Sequence, residues 1–198
     1  MKIKYKKIKQ WYTNNIKKYT DKSAILLHDQ LKYFISRLPK NGRILDIGCG
    51  PGHDTEYFAK KGFQATGIDF CSAMITYAKK NRRAGIFKKI DMLELDKHFP
   101  KDYFDGIWAS SSITHFDKTD IVKALEQMKK VVAPKRPIII LVKMKIRRKL
   151  AKKEIPFTQF YKKDIKYYLK KSGLDFKKIK VFTALNSKWL FVHAEKSQ

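Results

Sequence analysis

Three glycines spaced two apart, Gly48, Gly50 and Gly52, follow an apolar run that contains Asp46, and a second acid, Asp69, lies 23 residues beyond the first. Glycine admits positive φ and leaves no Cβ between the chain and a ligand, and a helix starting just after it turns free N–H groups toward the same place. An acid ending a second strand can accept hydrogen bonds from both ribose hydroxyls and repels a 2′-phosphate. Together these residues point to a nucleoside-containing ligand; a plain tight turn and a strand-ending Asp are the structural alternatives. The spacing is G-x-G-x-G, lacking the extra residue of the dinucleotide G-x-G-x-x-G, whose last gap accommodates a pyrophosphate. Asp46 likewise opposes a phosphate and suits a cationic amine or sulfonium. Farther along, His115 follows the run ASSSIT and is the best candidate for a general base, with simple packing in its loop as the competing role.

These residues need strands and helices to position them. Short apolar runs at 43–47, 64–69, 86–91, 104–109, 137–143, 177–183 and 188–195 read as strands, and amphipathic runs at 5–20, 23–37, 53–61, 72–83, 117–132 and 161–172 read as helices. Their alternation implies right-handed crossovers, hence an α/β, doubly wound seven-stranded sheet with helices on both faces, mostly parallel. The last two runs are joined only by ALNS and should form an antiparallel edge hairpin. Asp117 is placed to cap the 117–132 helix, Pro134 to stop it, and Gly173 to end the last helix. Leu125, Met128 and Val132 share the core face of their helix.

On these stretches the sequence resembles the class I S-adenosylmethionine-dependent methyltransferases of small-molecule type, a Rossmann-like family. LDIGCGPG is similar to that family's first motif, GIDFCSAM to its ribose-binding motif, and IDMLEL to the segment lining the adenine. FDGIWASSSITHF and VVAPKRPIIILVK resemble the fourth- and fifth-strand motifs, with PKRP standing where relatives carry a glycine pair. The resemblance implies S-adenosylmethionine as cofactor. It implies that Asp46, Gly48 and Gly50 hold the methionine moiety, with Cys49 and Gly52 in the same cofactor-binding turn. Asp69 would take the ribose hydroxyls, Phe70 and Met74 would flank the adenine, Asp91 and Met92 would bind its edge, and Ser110 would border the transferred methyl. Cys71 is read as a capping or packing residue. WYTNNIKKYTDKSA is similar to a lid helix before the first strand, with Tyr12 and Tyr19 on one face. The organisation expected is one domain, with lid helices at 1–40, a cofactor core at 41–143 and a C-terminal helix and hairpin at 144–198.

The 198 residues carry 45 Lys and Arg against 18 Asp and Glu, a net charge of +27. Residues 41–142 hold 17 basic and 12 acidic residues, so most of the excess lies in the ends, in the blocks Lys2–Lys22 and Lys143–Lys153. Such a field favours polyanions, and RNA is one partner it would suit. The excess of lysine over arginine fits AT-rich codon usage equally well, and sequence-specific readers favour arginine. A small-molecule acceptor is expected, acidic if the basic block after the fifth strand meets it. RNA methylation through a phosphate clamp, or a non-catalytic binding module of the same fold, are the alternatives. Two cysteines give no disulfide framework and no metal-ligand spacing, and no apolar run is long enough to span a membrane, so a cytoplasmic, metal-free protein without membrane insertion is expected.

Overall fold

The structure, a computed structural model, describes residues 3–17, 20, 27–145, 157–184 and 186–197. Seven strands make one sheet: β1 (Arg43–Ile47), β2 (Gln64–Asp69), β3 (Ile86–Lys89), β4 (Gly106–Ser110), β5 (Pro137–Lys143), β6 (Asp175–Ala184) and β7 (Ser187–Glu195). Their order is β3-β2-β1-β4-β5-β7-β6. Strands β1 to β5 run parallel, and β7 pairs antiparallel with β5 and β6, as the sequence pattern predicts. The helices are α1 (Ile3–Asn14), α2 (His28–Ile35), α3 (His53–Lys60), α4 (Ser72–Asn81), α5 (Lys118–Val131) and α6 (Lys162–Ser172).

A strand alternates its side chains between two faces, so PIIILVK serves two cores at once. Ile139 and Leu141 join Ile44, Trp108, Phe34 of α2 and Phe58 of α3 on one side. Ile138, Ile140 and Val142 join Leu45, Ile107, Met128 of α5 and Leu169 of α6 on the other, where Tyr5 and Ile8 of α1 also pack. Burial on both sides is why these central strands are continuously apolar rather than alternating.

Local limits follow residue chemistry. The Asp117 carboxylate accepts from the Asp120 N–H at 3.0 Å and starts α5, while Gly173 at φ 67° ends α6. In PKRP, Lys135 takes φ 58°, so the turn forms without the glycine pair of relatives. Several boundaries differ from the sequence pattern, three of them near the cleft or its supports. The expected 104–109 strand begins at Gly106, since Phe104 makes only an isolated bridge to Val132. The 86–91 strand stops at Lys89, because Asp91 leaves the ladder to cap a 3-10 helix over Met92–Lys97. The helix expected at 5–20 runs from Ile3 to Asn14 and turns at Asn15, with Ile16, Lys17 and Thr20 helical again. Parts of the 5–20 and 23–37 runs, Tyr19 among them, and the basic loop from residue 146 to 156 lie outside the described residues.

Gly106 shows how tightly the first core is filled. A Cβ there would sit 2.6 Å from Leu38 Cδ2 and 2.8 Å from Phe34 Cζ, both in packed side chains. Gly106→Ala is expected to destabilise by about 1–3 kcal/mol through overpacking, read as a lower urea midpoint at unchanged slope; an unmoved midpoint would mean that Phe34 has room to shift.

Candidate functional site

The strand order reverses between β1 and β4, and a cleft of about 760 Å³, counted out to its mouth, opens at their carboxyl ends. Its floor is the turn after β1, where Gly48, Gly50 and Gly52 have φ of 70°, 51° and 82°. The N–H groups of Gly48 and Cys49 donate to Ile68 O at 2.8 and 2.9 Å and bind this turn to β2.

Asp69, at the end of β2, ties the turn to the next loop. Its Oδ2 accepts from the Gly50 N–H at 3.1 Å and its Oδ1 from the Cys71 N–H at 2.8 Å. Burial lifts its pKa to about 6 even though both amides favour the charged form. Asp91 Oδ1 accepts from the Leu93 N–H at 3.0 Å, which holds the following loop against the cleft. Between the two acids the wall is apolar, formed by Ile68, Phe70, Met74, Ile90 and Met92.

Of the residues singled out by sequence, Gly48, Gly50, Asp69, Phe70, Met74, Asp91, Met92, Ser110 and His115 all line this cleft. Asp46, Cys49 and Gly52 are not in its lining. Asp46 is buried and accepts from Thr55 Oγ1 at 2.5 Å. The Cys49 thiol packs with Ile75, Ala78 and Phe87, and burial pushes its pKa up. A Cβ on Gly52 would meet Phe87 at 2.6 Å, and one on Gly48 would meet Ser112 Cβ at 2.5 Å. At these two glycines the missing side chain therefore makes room for the protein's own atoms, contrary to the expectation that the run as a whole bares backbone for a ligand. Cys71 stands at the N-cap of α4 without capping through its side chain, which is buried and lies 3.7 Å from Thr13 Oγ1 of α1.

Across the cleft, a 3-10 turn over Ile113–His115 delivers His115, whose Nε2 lies 2.9 Å from the Tyr12 hydroxyl. His115 is also edge-on to Phe157 at 5.8 Å between centroids. Tyr5, one face of α1 with Tyr12, lines the cleft too, and its hydroxyl donates to Asp120. Burial, then the Asp120 carboxylate, raises the Tyr5 pKa, so this phenol keeps its proton.

Sequence reasoning passed over Ser111 and Ser112. Ser111 takes φ 57°, a left-handed conformation uncommon outside glycine and asparagine, and it is held by its N–H to Leu141 O at 2.8 Å and by Thr114 Oγ1 donating to its carbonyl at 2.7 Å. That turn carries Ser112 against Gly48, and the Ser112 hydroxyl is buried without a hydrogen-bond partner among the described residues. The only available sequence signal was the run ASSS itself.

Behind the turn lies a second set of acids. Asp54 accepts from Trp108 Nε1 at 2.8 Å, and burial raises its pKa to about 6. Burial, followed by the neighbouring Asp54, raises that of Asp46 well above the carboxylate range. Among the described residues no cluster of His, Cys, Asp or Glu could hold a metal ion, and no helix is long and apolar enough to cross a membrane.

Residues 44–135 match the family model described as a methyltransferase domain. The chain is 29% identical over 121 residues to an S-adenosyl-L-methionine-dependent Diels-Alderase of Talaromyces variabilis, covering 58% of this chain and 40% of that protein. It is 31% identical over 114 residues to glycine N-methyltransferase of Rattus norvegicus, covering 50% and 39%. The chain thus spans about two fifths of the length of these curated relatives. In fold it is similar to the Burkholderia thailandensis 1,6-didemethyltoxoflavin-N1-methyltransferase, solved with that compound and S-adenosylhomocysteine, with a TM-score of 0.78, 17% identity and coverage of 100% of this chain and 92% of that one. It is also similar to a SAM-dependent methyltransferase from Methanosarcina mazei, with a TM-score of 0.74, 19% identity and coverage of 83% and 97%.

The buried acids make stability depend on pH. A carboxyl whose folded value lies above its unfolded value of about 4 holds its proton more tightly when folded. Its favourable contribution is complete below about pH 4 and is lost as pH rises through about 6. Asp54→Asn keeps an acceptor for the Trp108 N–H and removes the charge. Urea unfolding should find this variant more stable than the parent by about 1 kcal/mol above pH 7, with the gap closing near pH 4; a gap that is the same at both values would assign the effect to packing.

Proposed function

Residues 44–135 belong to the methyltransferase-domain family, within a chain that has the class I S-adenosylmethionine-dependent methyltransferase fold, and from that premise we propose that the protein binds S-adenosylmethionine in the β1–β4 cleft and transfers its methyl group to a small-molecule acceptor. The observation that carries the reading is the Asp69 carboxylate, on the cleft wall and fixed by the Gly50 and Cys71 amides.

The residues present fit the cofactor. Asp69, whose oxygens each keep a lone pair beyond the Gly50 and Cys71 amides, would accept from the two ribose hydroxyls. Phe70, Met74, Ile90 and Met92 offer an apolar slot for the adenine, with Asp91 able to accept from its amino group. Gly48, Gly50 and Ser110 border the methionine end. Asp46, Cys49 and Gly52 act from behind, shaping the turn rather than touching the ligand.

When bound, the cofactor supplies a methyl group on a sulfonium, which leaves with the acceptor's lone pair while the electrons of the broken S–C bond stay on sulfur. The protein's share is to align the acceptor, exclude water and take a proton where the acceptor carries one. His115 serves the last role. Its Nε2 is within hydrogen-bond reach of the Tyr12 hydroxyl, so an acceptor's proton arrives either in place of that hydroxyl or through it. Tyr5 and Tyr12 on α1 cover the site and keep it dry.

Calorimetric titration with S-adenosylhomocysteine tests the cofactor part. Affinity should be level above pH 7 and fall as pH drops through about 6, where protonated Asp69 loses an acceptor oxygen. Asp69→Ala should lose about 1–3 kcal/mol of binding and that pH dependence together; unchanged affinity would put the ribose elsewhere. Transfer of a labelled methyl group from S-adenosylmethionine into a cell extract, divided into small-molecule, protein and RNA fractions, tests the reaction. Label is expected in the small-molecule fraction and lost in His115→Ala, while cofactor binding without label in any fraction would make the domain a non-methylating binder.

A further inference from the structure

At one edge of the sheet α6 packs on β6, and residues 161–183 of these two elements hold eight lysines and two acids. Both acids are engaged: Asp164 accepts from the Tyr161 N–H at 2.8 Å and Asp175 from the Ser197 hydroxyl at 2.8 Å. Glu195, opposite Asp175 on β7, meets Lys177 at 3.4 Å. None of these residues lines the β1–β4 cleft, so this surface stands apart from the cofactor reading.

Local structure accounts for part of the charge. Lys170 and Lys171 stand in the last turn of α6, where a cation offsets the helix dipole, and Lys177, Lys178 and Lys180 lie on an edge strand, where lysines keep a further strand from pairing. Neither cause covers Lys162 and Lys163. They open α6, the end at which the dipole disfavours a cation, and both are exposed.

Exposed rings stand among these lysines. Four of the five large hydrophobic side chains exposed among the described residues, Tyr161, Tyr167, Phe176 and Val181, fall in this one segment. Tyr167 is 55% exposed, with Lys171 Nζ 5.8 Å from its centroid, and Phe176 is 40% exposed, with Lys166 Nζ at 4.8 Å. Lys163 Nζ lies 5.9 Å from the Tyr161 ring.

This interleaving of ring and cation matches an unpaired nucleic-acid strand, which alternates flat bases that stack on aromatic side chains with phosphates that attract lysine. Unpaired bases are characteristic of RNA loops and ends, whereas in a duplex the bases cover one another. An interfacial membrane helix needs an outward apolar side. The apolar side of α6, with Ile165, Tyr168 and Leu169, is buried in the core, and its outer side holds five lysines around Tyr167.

We propose that the outer face of α6 and the start of β6 dock single-stranded RNA, with bases stacked on Tyr167 and Phe176 and phosphates met by Lys163, Lys166, Lys170 and Lys171.

The test follows a fluorescein-labelled oligouridylate of twelve nucleotides by fluorescence anisotropy, with the full chain and without cofactor. Binding should weaken as salt rises from about 50 to 200 mM. Tyr167→Ala with Phe176→Ala should weaken the single strand at least about tenfold and leave a duplex of the same length within about twofold. Tyr167→Ala alone, at the more exposed ring, should give the same selectivity at about threefold if the pair lowers the urea midpoint. Replacing Lys163, Lys166, Lys170 and Lys171 by Gln should flatten the slope of log affinity against log salt by about 3, and replacing Lys40, Lys61, Lys79 and Lys80, exposed lysines elsewhere, by less than about 1. No binding of the oligouridylate at about 50 mM salt, ring variants that bind it as the parent does, equal losses for single strand and duplex, or equal flattening by the two lysine sets would each overturn the proposal. So would phosphatidylserine vesicles that release the two-ring variant while the oligouridylate keeps it, since the face would then be a membrane contact.

Discussion

One carboxylate fastens the two loops that frame the cleft. Asp69 takes the Gly50 amide with one oxygen and the Cys71 amide with the other, so the turn after β1 and the start of α4 are fixed relative to each other. Charge-assisted bonds to backbone amides are stronger than neutral ones, and in a buried setting they are screened little by water. The left-handed glycine turn, the apolar wall from Phe70 to Met74 and the position of the β2 tip all follow from that fastening. The residue is thus a structural clamp, and burial raises its pKa although both amides favour the charged form.

A second constraint sits behind the first. Asp46 and Asp54 lie close enough to raise one of their pKa values through the other, and they are answered by Thr55 and by the Trp108 indole rather than by a cation. Trp108 in turn belongs to the core with Phe34 and Phe58. The floor of the cleft is therefore coupled to the packing of one face of the sheet through hydrogen bonds, not through ion pairs.

Much of this was legible in the residues. The apolar strand, the glycine turn and Asp69 announced a parallel sheet with a cleft at the end of its first strand because each relies on a local property: β-burial, positive φ, a charged acceptor at a strand end. What could not be read is which way the turn faces. Glycine spacing is the same whether the vacated space goes to a ligand or to Ser112 and Phe87, whose atoms stand near the Cβ positions of Gly48 and Gly52, although Gly48 lines the cleft as well. Ser111 and Ser112 were missed because a serine at positive φ carries no mark in its type; tertiary hydrogen bonds to Leu141 and Thr114 impose it. The 3-10 helices escaped for a similar reason, being too short for a period to register. The basic block after the fifth strand, on which an acidic acceptor was expected, lies for the most part outside the described residues, while the described lining of the cleft carries Asp69 and Asp91. Tyr12 and, seven residues before it, Tyr5 both line the cleft; Tyr19, expected on the same face, lies outside the described residues.

Helix α1 is attached to the body by contacts at well-separated points: Tyr5 to Asp120, Tyr12 to His115, and Thr13 beside Cys71. None of these is a backbone ladder, and Ile8, between Tyr5 and Tyr12, is sunk in the same core as the central strands. The aromatic rim of the cleft and the apolar packing of one sheet face are thus carried by a single helix, so a substitution that shifts one displaces the other.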